Sequence, residues 1–346
     1  MDQHKKQHRG VRYIGRSFAL LGTTLAIILA ILVGVVWVLE KGPSPTITEL
    51  FCRSVRETSA MRWVANVFLT DEEIDQFKSQ NTETLATDSV NTSLIRVQQG
   101  TQTDSETGED EDSGLELIDI AQGTIKGKLL IVKDPSRVIL GTSNNFGQEA
   151  GLQLTDMVAK YDGIAGINGG GFNDENGRGN GGIPQGLVIN EGELVWGSAY
   201  GTYNVIGFDA NHILHVGTMT GQEAMDRGLY YGVSFVTHDG LASALVINGE
   251  VQYKNLTSGV NPRTAIGQCA DGSVLLLVLD GRSINTLGAT MEDICNVMLE
   301  YGAINVGNLD GGSSTVMVYE GEIINACASV TGPRNIPTGF IVLKEG

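Results

Sequence analysis

Four stretches of the chain set side chains capable of acid–base or anion chemistry beside glycine. "INGGGFNDENGRGNGGIPQG" covers 167–186, "GVNPRTAIG" covers 259–267, "LVLDGR" ends at Arg282, and "GNLDGGSSTVMV" covers 307–318. Together they supply two carboxylates (Asp280, Asp310), two guanidiniums (Arg263, Arg282), the hydroxyls of Thr264, Ser313 and Ser314, and the amide of Asn168. A positioned carboxylate can serve as base, nucleophile or stabiliser of developing positive charge. A guanidinium grips phosphate oxygens in a fork. Arg334 in "TGPRNIP" is a third candidate cation. An Asp-Gly pair at one strand end is ordinary turn chemistry. Four glycine-rich ends carrying Asn, Arg, Asp and Ser exceed what hairpins require.

Other readings of the same residues are narrower. Gly177, Gly179 and Gly182 satisfy GxGxxG, but a strand rather than a helix follows through Ile183 and Pro184, so no helix N-terminus meets a phosphate. No GK[ST] triplet exists. A calcium loop of the EF-hand type fails at Arg178 and Gln185, leaving only a looser loop built on Asp174, Asn176 and carbonyls. The five histidines (His4, His8, His212, His215, His238) all lie outside the motifs. Ser313 and Ser314 therefore have no evident base and suit ligand contact. His212 and His215, three apart on one expected strand, point to opposite faces and do not form a metal pair. Asn168 suits a ligand contact, or alternatively its own loop backbone.

"AGINGGGF", "NPRTAIG", "LDGR" followed by "GAT", and "NLDGGSST" occur in the order and with roughly the spacing of the phosphodiester glycosidase family, the NAGPA-like domain, which this chain resembles over about 115–344. The resemblance implies an α+β domain that cleaves a sugar–phosphodiester bond in a glycan or glycopolymer. Asp280, Asp310, Arg263 and Arg282 would be catalytic. Asn168, Gly169, Gly170, Thr264, Gly311, Gly312, Ser313, Ser314 and Arg334 would contact substrate. Two alternatives stay open: a calcium-assisted phosphodiesterase using Asp174, Asp280 and Asp310, and a noncatalytic module that binds anionic glycopolymer or assists exopolysaccharide assembly.

These motifs need a scaffold, and hydrophobic patterning predicts one. Short apolar or alternating runs recur between turn signals, several joined through Asn-Glu-Gly-Glu, Asn-Gly-Glu or Glu-Gly-Glu as hairpins. Helical patterns intervene near 153–161, 221–227 and 291–301, the last opened by a Thr290/Asp293 capping box. The expected fold is α+β, with a mixed, largely antiparallel sheet and a few inserted helices.

The domain is expected at 115–346. Before it come a helical segment at 40–78, in which Thr70 and Glu73 resemble a capping box, and an acidic linker at 79–114 too polar to bury a core. Residues 18–39 carry no charge and are long enough to span a bilayer as a helix. Five basic residues precede this span, which predicts a cytoplasmic tail at 1–17 and an exported remainder. That remainder has 18 basic and 39 acidic residues, a surface that repels nucleic acid and anionic lipid. Four cysteines (Cys52, Cys269, Cys295, Cys327) show no metal spacing, and no bridge is assigned among them.

Overall fold

A computed structural model describes residues 2–58, 60–79, 83–84, 89–97, 114–237, 243–254, 258–283, 285–329 and 332–345. Three antiparallel sheets share one interior. A seven-stranded sheet runs in spatial order Glu250–Val251, Ala244–Ile247, Ala303–Asn308, Arg263–Cys269, Val274–Leu279, Ile125–Val132 and Leu115–Gln122. One five-stranded sheet is centred on Leu229–Ser234, and the other on Gly163–Asn168. Every strand pair among the described residues is antiparallel, so the parallel component expected of a mixed sheet is missing.

Strand Val274–Leu279 shows how the sequence selects this layering. All six side chains are buried, and the two-residue period sends them to opposite faces. Val274, Leu276 and Val278 join the shared interior with Ile167, Ile206 and Phe340. Leu275, Leu277 and Leu279 meet helix Met291–Glu300, whose Ile294 and Met298 cover the outer face. Such a strand can only be central. Helices Leu154–Lys160 and Gly221–Asp226 cover the outer faces of the two five-stranded sheets in the same way. The three expected helices thus form, and Thr290 and Asp293 make both capping-box bonds.

The Glu-Gly and Asn-Gly turns are tight hairpins. Glu191–Gly192, Asn248–Gly249 and Glu320–Gly321 each place two consecutive residues at φ between 52° and 84°, the geometry that matches strand twist. His212 departs from its expected place. It sits at φ 61° in the turn before strand Leu214–Thr220, while His215 on that strand pairs with Asp209 at 3.1 Å.

Helix Asp2–Lys41 is long and apolar enough to cross a membrane over Arg16–Lys41. Helix Pro45–Arg56 follows, started by Ser44 and a proline in its first turn. It packs with 62–66 and helix Asp71–Ser79 around Cys52, Ala65, Leu69 and Ile74. Thr70 and Glu73 cap the latter reciprocally. Part of the expected linker is structured. Glu83–Thr84 pairs with Tyr253–Lys254, Val90 and Ile95 are buried, and the Arg96 amide donates to the Ala270 carbonyl. The acidic run "DSETGEDEDSG" lies outside the described residues up to Gly114. All four cysteines are free, and burial pushes the Cys295 thiol up to about 12.

Candidate active site

Antiparallel register gathers the motifs. Arg263 opens its strand opposite Leu279, one residue before Asp280, and Ala265 stands opposite Asn308, two before Asp310. The start of one strand therefore meets the ends of both neighbours. Asn168, at the end of strand Gly163–Asn168, crosses to this group by donating from Nδ2 to the Asp310 carbonyl at 2.6 Å.

Asp310 is the centre of the site. Burial, reinforced by the neighbouring Asp174 carboxylate, lifts its carboxyl to about 6, against the opposing pull of Ser314, the Gly311 amide and Arg334. Arg282 and its surroundings form the cationic side. Its Nη2 donates to Asn261 Oδ1 at 2.8 Å, and Asp310 is among the carboxylates acting on its charge. Arg282 adopts φ 54°, a conformation that costs about 1–3 kcal/mol in a non-glycine residue and clusters at functional sites. Gly312 makes room for it: a Cβ there would lie 3.2 Å from Arg282 Nη2, and its own φ of 63° favours glycine.

Arg334 closes the opposite side. Its guanidinium forks onto Asp174 at 2.7 and 3.2 Å, donates to Ser313 Oγ at 3.2 Å and to the Gly179 carbonyl, and lies over the Phe172 ring at 5.3 Å. The long glycine-rich loop thus contributes through Phe172 and Asp174. Asp174 also accepts from the Gly179 amide, so its carboxylate is committed to Arg334 and to its own loop. No three His, Cys, Asp or Glu side chains are gathered as a metal cage among the described residues.

Several expected contacts take other roles. Asn168 is buried, and its Oδ1 accepts from Thr264 Oγ1 at 2.8 Å and from the Val316 amide at 3.2 Å, so the side chain braces three segments instead of facing substrate. Thr264 is buried with it, bonded also to Thr315. The amides of Gly169 and Gly170 donate to the carbonyl and hydroxyl of Thr338, and a Cβ at either glycine would overlap Thr338 or Ser234. Gly311 packs against the Pro262 carbonyl. These are close-packing glycines; the amides of Gly169 and Gly170 are taken by Thr338, and that of Gly311 by the Asp310 carboxyl. Asp280 accepts from the Ala326 amide at 2.9 Å and from Asn325 at 3.3 Å, with its carboxyl raised by burial.

Arg263 differs most from expectation. It is buried, and Nη2 pairs with Glu57 Oε2 at 2.6 Å while Nε donates to the Ala289 carbonyl. Glu57 ends helix Pro45–Arg56 and also accepts from Asn261 Nδ2 at 2.9 Å and the Gly259 amide at 2.7 Å. Beside it, Thr58 Oγ1 accepts from Arg282 Nη2 at 2.7 Å, and Ser54 Oγ accepts from the Val260 amide. The segment after the apolar helix therefore covers the cationic side of the site. The sequence carried one hint of this, a carboxylate at a helix C-terminus, where the helix dipole disfavours negative charge.

A family model described as phosphodiester glycosidase matches residues 161–343. The chain is 29% identical over 194 residues to the SPbeta prophage-derived uncharacterized protein YomE of Bacillus subtilis, a match covering 53% of this chain and 28% of that relative. It thus corresponds to under a third of that protein's length. Among solved structures, the zebrafish N-acetylglucosamine-1-phosphodiester alpha-N-acetylglucosaminidase catalytic domain, auto-inhibited by its pro-peptide, superposes with a TM-score of 0.56 at 18% identity, covering 77% of this chain and 89% of that one.

Proposed function

The chain belongs to the phosphodiester glycosidase family, and on that premise we propose that it hydrolyses the bond between a sugar anomeric carbon and a phosphodiester in a glycan or cell-surface polymer. The observation that carries this reading is Asp310, lifted to about 6 between Asp174 and Arg334 with Arg282 nearby. A carboxyl tuned toward neutrality exchanges protons efficiently at physiological pH. Water oxygen bonds to the anomeric carbon, and the bond from that carbon to the phosphate oxygen breaks with its electron pair leaving on phosphate. The proton of the attacking water passes to Asp310. Arg282 neutralises the departing phosphate, with electrostatic stabilisation concentrated where charge develops. Arg16–Lys41 anchors the domain in a membrane, with the basic N-terminus cytoplasmic and the site outside.

In the described state the chain's own residues occupy part of the cationic side, while Arg282 stays exposed and Asp310 half-buried. The Glu57 carboxylate on Arg263 and the Thr58 hydroxyl on Arg282 stand where phosphate oxygens would bind. The zebrafish relative is described as auto-inhibited by its pro-peptide, a regulation of the same kind. The test incubates the detergent-solubilised full chain, as wild type and as a Glu57→Gln/Thr58→Ala variant, with a panel of sugar-1-phosphodiesters. Free reducing sugar is expected from the variant and its loss on adding Asp310→Asn. A folded variant that releases none from any member overturns the reading. Activity abolished by chelation and restored by calcium would favour the calcium-assisted alternative instead.

A further inference from the structure

A second cleft lies beyond the far end of the glycine-rich loop. It has a volume of about 400 Å³ and is lined by Phe146, Trp196, Asn145, Gln148, Asn190 and Thr142 among others, none of them ionisable. Phe146 and Trp196 meet edge to face with centroids 6.0 Å apart, and both rings pack on the shared interior, so they form a fixed aromatic wall. Carboxamides line the cleft beside them. Asn145 Nδ2 donates to Glu149 Oε1 at 2.7 Å, and Lys160 Nζ to the Oδ1 of adjacent Asn144 at 3.2 Å, so charges behind the cleft hold the amides in place without lining it. Asn190 Oδ1 is buried and has no hydrogen-bond partner among the described residues.

A buried carbonyl without a donor is unfavourable, and turning the Asn190 amide toward the cleft would let a ligand hydroxyl satisfy it. A rigid aromatic face, converging amides and no charge fit one ligand chemistry: a neutral pyranose, whose C–H face packs on a ring while its hydroxyls bond the amides. A phosphate or charged peptide would find no counter-ion there. The cleft is also coupled to the Asp310 site. The Gly147 amide donates to the Gly182 carbonyl and the Gly151 amide to the Asn180 carbonyl, and the same loop supplies Gly179 and Asp174 to Arg334.

We propose that this cleft binds an uncharged sugar unit of the glycan that carries the scissile phosphodiester, a subsite that selects polymer over isolated sugar phosphate. This rests on the hydrolase reading for its purpose but not for its test. Neutral tetrasaccharides of glucose, N-acetylglucosamine and galactose are titrated calorimetrically into the solubilised full chain. Wild type and Asp310→Asn should bind at least one of them alike, and Trp196→Ala should bind it at least about tenfold more weakly. Asn190→Leu guards against misfolding: it removes the orphaned carbonyl, so it should keep or raise the melting temperature while binding falls as far. Wild type that binds none of the three, or an Asn190→Leu chain that binds as tightly as wild type, overturns the proposal. Sugar binding without any phosphodiester cleavage leaves the subsite standing and the hydrolase reading fallen; cleavage without sugar binding does the reverse.

Discussion

Replacing Glu57 by Gln tests how the chain covers its own site. Glu57 and Arg263 have side chains only 7% and 6% exposed, so solvent screens their 2.6 Å contact little. The carboxylate also accepts bonds of 2.7 and 2.9 Å from Gly259 and Asn261. Removing one charge from a buried pair typically costs about 3–5 kcal/mol, because the other is left uncompensated. Here Arg263 can regain water if helix Pro45–Arg56 lifts, so the cost should appear as local opening and not as global unfolding. At about 1.4 kcal/mol per factor of ten, even the lower figure raises the opening constant by roughly two orders of magnitude. Hydrogen exchange reads this directly at the amides of Gly259 and Val260, whose acceptors are Glu57 Oε1 and Ser54 Oγ. Both should exchange about a hundredfold faster in Glu57→Gln, while the amides of Val274–Leu279 keep wild-type protection. Exchange within a few-fold of wild type at both positions would refute the reasoning. Faster exchange with lower hydrolysis would show instead that Glu57 belongs to the working site.

Asp310→Asn should abolish sugar release yet stabilise the protein above neutral pH. The native carboxyl is raised to about 6 from an ordinary 3.8, so the folded state holds its proton more tightly than the unfolded state. Wild-type stability from this group is full below the unfolded value and is lost as pH rises through about 6. The gap in unfolding free energy between variant and wild type, read from denaturant melts, should open across that window, to at most about 3 kcal/mol, and vanish near pH 3. Asn168→Ala should lower stability by about 2–4 kcal/mol in denaturant melts, since it frees the Asp310 carbonyl, the Val316 amide and Thr264 together. A loss under about 1 kcal/mol would return Asn168 to substrate contact.

Features set by local chemistry were legible in the chain. Asn-Gly and Glu-Gly pairs between alternating runs specified the hairpins, Thr290 with Asp293 specified a helix start, and the doubly apolar run Val274–Leu279 specified a central strand. The gathering of Asp310, Arg282 and Arg263 was legible as well, because each motif sits at the start or the end of a strand. Partner choice across long separations was not. Nothing near Asn168 announces that its amide would be consumed by residues 96 to 148 positions away. Likewise Arg263 reads as a free cation until Glu57, 206 residues earlier, is seen beside it. Asp174 invited a calcium reading because its true counter-charge, Arg334, lies 160 residues on.

The order of the seven-stranded sheet has a kinetic corollary. Ile125–Val132 can pair at once with its hairpin neighbour Leu115–Gln122, but its other edge waits for Val274–Leu279, more than a hundred residues downstream. At synthesis rates of about 5–20 residues per second, that edge stays unpaired for on the order of ten seconds. During that interval it presents apolar strand surface with open hydrogen-bonding groups, the condition that favours intermolecular pairing. Maturation of this protein should therefore be limited by a late-arriving strand, and its yield should be more sensitive to crowding of nascent chains than to the final stability of the fold.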